Sequence, residues 1–81
     1  MTDQPIFAKI NALAAEEEQL WERASEGGGL AVADQQRLDT IKVELDQCYD
    51  LLHQREALRS AGLDPESAAV RPAEVVERYQ Q

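Results

Sequence analysis

Asp50, His53 and Cys48 come closest in this chain to residues that could do chemistry together. A carboxylate and an imidazole three residues apart, such as Asp50 and His53, have the spacing used in di-metal carboxylate sites of four-helix bundles. Glu17, on an apolar helical row, is a further possible ligand. Such a site needs ligands that point inward, and the helical phase turns Asp50 and His53 away from their own apolar row. We therefore expect no metal ion and no cofactor.

Cys48 offers a second kind of chemistry, because a thiolate is a nucleophile where a neighbouring base activates it. The one histidine, His53, lies five residues away and on a different helical face. Since Cys48 falls within an apolar row, we expect a buried thiol that behaves as a small apolar side chain. Whether it forms a disulfide with a second copy stays open.

The remaining candidates do not converge on one site. Adjacent helical residues diverge by about 100°, so Glu16, Glu17 and Glu18 do not pair for acid–base work. Glu17 either fixes the register of two helices or reaches solvent at their edge. The glycines at 27–29 follow no strand and precede no Lys-Ser/Thr pair, unlike those of a phosphate-binding loop. We predict that the protein is not an enzyme.

Two rows of apolar residues at helical spacing determine where these side chains lie. The absence of glycine and proline from 30–61 favours a long helix over about 31–60. A shorter helix over about 4–25 begins near Gln4, with Thr2 or Asp3 as its cap and Pro5 in its first turn. Three glycines between them predict a tight reversal. The rows are Leu38, Ile41, Leu45, Cys48 and Leu52 in the long helix, and Ile6, Ile10, Leu13, Leu20 and Ala24 in the short one.

The register of this hairpin places Leu20 opposite Leu38 and Ile6 opposite Leu52. The long helix then extends past the short one by about two turns. We expect the tail to cover that extension, with a turn at Asp64 and a last short helix over about 72–80. The tail residues predicted to dock are Arg71, Val75, Val76 and Tyr79.

The predicted architecture is an all-α hairpin of residues 1–62 with a C-terminal tail of residues 63–81. A second row, Phe7, Ala14 and Trp21, widens the apolar stripe beyond that of a two-stranded coiled coil. A stripe of this width predicts a homodimer that forms a four-helix bundle. The residues predicted to face the second copy or another partner are Trp21, Leu45, Cys48, Tyr49, Leu51, Leu52 and Leu58.

The composition of the chain limits the classes of molecule that it is expected to bind. The 81 residues include 16 acidic and 8 basic side chains, a net charge of −8. Such a surface disfavours nucleic acid and anionic membranes, both of which attract basic proteins. One cysteine excludes an internal disulfide, and the N-terminus lacks the basic and apolar regions of a signal peptide. We therefore expect a cytoplasmic protein.

Two functions fit these observations. The first is a non-enzymatic helical interaction or scaffold protein that forms a homodimer through the hairpin faces. The alternative is an acidic regulatory protein that binds and occludes a basic surface of a transcription or translation factor.

Nearly the whole chain resembles a known family, most strongly from Leu45 onward. The residues that carry the resemblance are the segment LDQCYDLL from Leu45 with Gln54-Arg55 after it, AGLDP from Ala61, and VRP from Val70 followed by Val75, Val76, Glu77 and Tyr79. They are similar to a family of small actinobacterial proteins known as a domain of unknown function. The resemblance implies a bacterial protein that stands alone as a domain, and it implies no catalytic residue or ligand. The glycine-rich turn at 27–29 departs from the family pattern.

Overall fold

The computed structural model describes residues 3–80, with side chains described as far as Glu77. No strand occurs among the described residues, and two long helices pack against each other. The prediction of an all-α fold is therefore confirmed. The elements are α1 (Gln4–Gly27), α2 (Val32–Ser60), a 3-10 turn (Pro65–Ser67) and α3 (Ala73–Gln80).

The hairpin turn depends on two glycines with positive φ, because Gly29, at φ 134°, follows the left-handed Gly28. Gly28 has φ 82°, a region that costs side chains with a β-carbon about 1 kcal/mol or more. The amides of Gly28 and Gly29 both donate to the Ala24 carbonyl, the latter at 2.8 Å. Gly27 still belongs to α1. The helix thus ends two residues later than expected.

The start of α1 differs from the prediction. Asp3 stands at the N-cap position, and its backbone carbonyl accepts from the amides of Ile6 and Phe7 at 3.0 and 3.1 Å. Its side chain caps nothing, because the carboxylate is held instead by two guanidinium groups, those of Arg55 and Arg59. Asp3, one of the two residues predicted as the cap, is thus the N-cap residue but makes no side-chain cap hydrogen bond, and Thr2 lies outside the described residues.

The core is a single apolar seam between α1 and α2. Ile41 lies at its centre and is 0% exposed. Ion pairs at its margins, Arg23–Asp34 near the turn and Arg55–Asp3 at the open end, fit the predicted register. The buried members are Ile10, Leu13, Leu20, Leu38, Ile41 and Cys48, with Ile6, Leu30, Leu45 and Leu52 packed against them.

The tail reverses direction at the end of α2 and runs back along it. The amides of Gly62 and Leu63 donate to the carbonyls of Arg59 and Leu58, a glycine-dependent helix ending with Gly62 at φ 74°. The Asp64 carboxylate then accepts from the amide of Glu66 at 2.9 Å and caps the 3-10 turn.

The tail covers a longer part of α2 than expected. α3 packs on α2 and buries Val76, which is 1% exposed. The helical phase of Gln47, Asp50 and Gln54, which bond to the tail, places them on the side of α2 away from α1. α2 therefore lies between two neighbours. The Cα extents of 51 × 25 × 15 Å show that the three helices form one layer.

Candidate interaction surface

A carboxylate–guanidinium pair fastens the tail to α2. Arg71 donates from Nε to Oδ2 of Asp50 at 2.9 Å, and from Nη2 to Oδ1 at 2.6 Å. This bidentate geometry is the strongest form of such a contact. The Arg71 guanidinium, with a further hydrogen bond from Gln54, holds the pKa of Asp50 below its usual range despite burial. Asp50 therefore stays ionised in a site where it is only 8% exposed.

Two glutamines donate hydrogen bonds to backbone carbonyls of the irregular segment that joins the 3-10 turn to α3. Gln54 donates from Nε2 to the Ala69 carbonyl at 2.9 Å and to the Asp50 carboxylate at 2.8 Å. Gln47 donates to the Arg71 carbonyl at 3.2 Å. We call Gln47, Asp50, Gln54 and Arg71 the tail clasp. The sequence signal for it was a polar row at 3-and-4 spacing on α2, which sequence reasoning left unused.

Arg55 joins three segments at the open end of the hairpin. It is 6% exposed. Its guanidinium donates to the Asp3 carboxylate at 2.6 Å, to the Pro65 carbonyl at 3.3 Å and to the Glu66 carboxylate at 3.2 Å. Arg59 approaches the same Asp3 oxygen at 2.6 Å, and the two guanidinium groups lower the pKa of Asp3. A buried arginine with this many acceptors is structural, because its charge and donors are satisfied inside the chain.

Asp50 and His53 both point away from the α1–α2 seam, as the helical phase predicts, but only one of them is exposed to solvent. His53 is exposed, whereas Asp50 is buried beneath the tail. Asp50 thus engages Arg71, a cation that competes with any metal ion for the same two oxygens. Among the described residues, no three His, Cys, Asp or Glu side chains are grouped as metal ligands would be.

Cys48 is buried at 6% exposure within the α1–α2 seam. Burial raises the pKa of its thiol, an effect that the Glu44 carboxylate adds to and the Lys9 ammonium opposes. The thiol is therefore protonated at neutral pH, which lowers its reactivity. Glu17, on the apolar row of α1, is half-buried.

A pair of carboxyl groups lies where α3 meets α2. Glu77 contacts Asp46, and this contact together with burial raises the pKa of Glu77, while the Lys42 ammonium opposes the rise. Oε1 of Glu77 is buried without a hydrogen-bond partner among the described residues. Docking of α3 thus carries an electrostatic cost when both carboxyls are ionised.

One flank of the helical layer carries exposed aromatic side chains. Phe7 and Trp21 stand two heptads apart on α1 and are 48% and 53% exposed, and Tyr49 on α2 is 44% exposed. Phe7 and Tyr49 line one shallow depression together with Asp3, Leu52, His53, Glu56 and Arg59. We call the surface formed by Phe7, Ala14, Trp21 and Tyr49 the aromatic flank.

The opposite flank is built differently. Arg37 holds the Glu16 carboxylate with two hydrogen bonds, of 2.5 and 2.7 Å, which lower the pKa of Glu16. Further along the same flank, a cleft of about 150 Å³ opens between α1, α2 and the tail. Its lining is mostly apolar and consists of Pro5, Ile6, Lys9, Gln47, Cys48, Leu51 and Val70.

The residues predicted to face a partner are divided between these regions. Trp21 and Tyr49 lie on the aromatic flank, while Leu45, Cys48 and Leu52 belong to the α1–α2 seam. Leu51 lines the opposite cleft, since it is turned by about 200° from Tyr49. Leu58, half-buried near the end of α2, follows the phase of Leu51. Phe7 was missing from the predicted face, although it begins the same heptad row as Trp21.

The tail residues predicted to dock are also located. Arg71 lies in the tail clasp, Val76 is buried against α2, and Val75 is half-buried. The side chain of Tyr79 lies outside the described residues. None of the described helices carries a stretch long and apolar enough to cross a bilayer.

Comparison with known proteins places these features in a family. The chain is 50% identical over 78 residues to Uncharacterized protein Mb0922c of Mycobacterium bovis, covering 96% of this chain and 90% of that protein. Uncharacterized protein Rv0898c of Mycobacterium tuberculosis matches with the same identity and coverage. No solved structure matches the chain. Residues 2–81 match the model of the family described as Protein of unknown function (DUF2630), and the chain belongs to that family.

Proposed function

We propose that this protein is a non-enzymatic helical interaction protein that forms a homodimer through its aromatic flank. The main observation that supports this proposal is that the helices form a single layer. Stable domains normally bury apolar faces between two layers, and here the smallest extent, 15 Å, accommodates only one. A second copy supplies the missing layer and completes a four-helix bundle of two hairpins.

The aromatic flank is the better of the two faces for this contact. Aromatic side chains are enriched at interface cores, and three of the four in this chain are exposed on this one side. The opposite flank is partly occupied by the Arg37–Glu16 pair and by the tail residue Val70. The residues we place in the dimer face are therefore Phe7, Ala14, Trp21 and Tyr49.

The intrinsic fluorescence of Trp21 tests the proposal together with sedimentation. Trp21 is the one tryptophan, and its exposed indole becomes buried in the proposed dimer. We expect a dimer in sedimentation at micromolar concentrations and an emission maximum that shifts to shorter wavelength as concentration rises. A monomer at high micromolar concentration, with emission independent of concentration, would contradict the proposal.

A matched pair of variants distinguishes a specific contact through the aromatic flank from general association of exposed apolar side chains. Trp21→Ala removes the largest exposed side chain of the flank and should weaken the dimer by ten-fold or more, about 1.4 kcal/mol. Val32→Ala removes an apolar side chain that is 76% exposed outside the flank, and it should leave the dimer unchanged.

The charge distribution favours a second candidate function. Five arginines, at 23, 37, 55, 59 and 71, each contact a carboxylate of this chain. Among the described residues, most cations are therefore already engaged, and the acidic surplus resembles that of a protein that binds a basic partner. Such binding should weaken steeply as salt rises. A captured partner whose retention is insensitive to salt would count against it.

A further inference from the structure

We propose that the two copies meet through antiparallel α1 helices, with Ala14 on the twofold axis and Phe7 of each copy packed against Trp21 of the other. This inference rests on the homodimer proposed above and adds its orientation. It follows from the spacing of one row on α1 and from the charges beside that row.

The spacing is self-complementary. Phe7 and Trp21 each lie seven residues from Ala14, or about 10 Å along the helix at 1.5 Å per residue. A twofold axis perpendicular to α1 at Ala14 brings Phe7 of one copy opposite Trp21 of the other, twice. The small Ala14 side chain, which is exposed, lets the two helices approach to about 8 Å at the crossing. Each copy thus uses the same patch, as closed twofold symmetry requires.

The charges beside the row select the antiparallel orientation. Glu17 and Glu18 lie on either side of the row next to Ala14, one half-buried and the other exposed. A parallel pairing sets Glu17 of one copy against Glu18 of the other, which repel. The antiparallel pairing sets Glu18 against the exposed amide of Asn11, which can donate to it.

The cations of α1 do not reduce the repulsion between Glu17 and Glu18 in the parallel pairing. Arg23 pairs with Asp34, and Lys9 lines the cleft of the opposite flank. Neither is placed to neutralise Glu18. The parallel pairing also places Phe7 against Phe7 and Trp21 against Trp21, so the two contacts differ in size and the helices cannot stay evenly spaced.

Disulfide trapping distinguishes the orientations. In a Cys48→Ala background, Phe7→Cys and Trp21→Cys chains of different length are mixed and oxidised. We expect a covalent heterodimer from the mixture and little covalent product from either chain alone, because like positions lie about 20 Å apart in the antiparallel pair. The heterodimer retains one intact Phe7–Trp21 contact, so the substitutions do not remove the whole interface.

Matched controls complete the test. Ala14→Cys should crosslink with itself, while Ala15→Cys, one residue on and turned by about 100°, should not. Circular dichroism checks that each variant keeps its helices. Covalent homodimers of Phe7→Cys and of Trp21→Cys would establish the parallel pairing and overturn the inference. A wild-type dimer in sedimentation without the mixed disulfide would overturn the orientation and leave the homodimer intact. A wild-type monomer would remove the homodimer and this inference with it.

Discussion

The two sides of α2 are held by different chemistry. Towards α1, the helix presents apolar side chains, with Ile41 fully buried and charged pairs only at the margins. Towards the tail, it presents Gln47, Asp50 and Gln54, each of which hydrogen-bonds to a tail carbonyl or guanidinium. Val76 is the one fully buried apolar anchor among the described tail residues.

This difference predicts two levels of stability. Apolar burial is non-directional and sums over many residues, so the α1–α2 seam should determine whether the chain folds at all. A hydrogen-bonded contact contributes about 1 kcal/mol net and fails locally when one partner is lost. The tail should therefore open without unfolding the hairpin. A tail-side substitution that unfolds α1 and α2 as well as the tail would contradict this division of stability.

The largest expected effect comes from the seam. Ile41→Ala leaves a cavity at the most buried position and should lower the free energy of unfolding by about 3 kcal/mol. Urea unfolding followed by circular dichroism measures this change. In a domain of this size that is a large part of the total stability.

Val32→Ala is the control for the seam, because Val32 is 76% exposed at the first turn of α2. It should change the free energy of unfolding by less than about 0.5 kcal/mol. Equal effects of the two substitutions would mean that the seam is not the core.

The next effect comes from the tail clasp. Arg71→Lys replaces two parallel hydrogen bonds to Asp50 with one point charge. Removing a partner from a fully buried pair costs about 3–5 kcal/mol, but Arg71 is 40% exposed, so we expect about 1–2 kcal/mol. Hydrogen exchange should show faster opening of α3, while the amides in the middle of α1 and α2 stay protected.

Arg23→Lys is the matched control for the tail clasp. Its pair with Asp34 spans 3.4 Å, and the Arg23 side chain is 65% exposed. The substitution should be close to neutral in unfolding experiments. Loss of protection throughout α2 in the Arg71→Lys chain would show that the two sides are one cooperative unit.

The same contrast explains what the sequence could predict. The seam can be recognised in the sequence because Leu38, Ile41 and Cys48 repeat at the period of a helix. Apolar packing also does not require one particular residue on the opposite helix. Glycines at 27–29 and 62 marked where the helices end. The hairpin and its register therefore follow from periodicity and turn chemistry.

The tail side could not be predicted in the same way. Directional contacts depend on which donor reaches which acceptor, and the sequence does not reveal that Asp3 would bond Arg55 rather than its own helix. Asp50 looked solvent-facing because the apolar row was taken as the only buried side of α2. A charged residue is buried here because Arg71, 21 positions further on, neutralises it.

A smaller effect is expected where the tail turn is capped. Asp64→Ala removes the carboxylate that accepts from the Glu66 amide at 2.9 Å. Loss of such a cap costs about 0.5–1 kcal/mol. Because the turn positions Glu66 and the Pro65 carbonyl against Arg55, the change should appear as faster exchange in residues 64–70. Asp64→Asn keeps an acceptor at the cap and should restore most of the protection.

Acidity should affect two contacts on the tail side of α2 in opposite directions. The raised pKa of Glu77 beside Asp46 means that the docked tail binds more protons than the free tail, so the contribution of Glu77 to docking is fully present below about pH 4 and is lost as pH rises through the raised pKa. The lowered pKa of Asp50, set by Arg71, acts oppositely and weakens docking as pH falls below about 4. Exchange protection of α3, corrected for intrinsic rates, should therefore increase on mild acidification from pH 7 and fall again in stronger acid. Glu77→Gln imitates the protonated form and should abolish the increase while keeping the acid loss. An increase of equal size in that variant would place the titrating group elsewhere than at the Glu77–Asp46 contact.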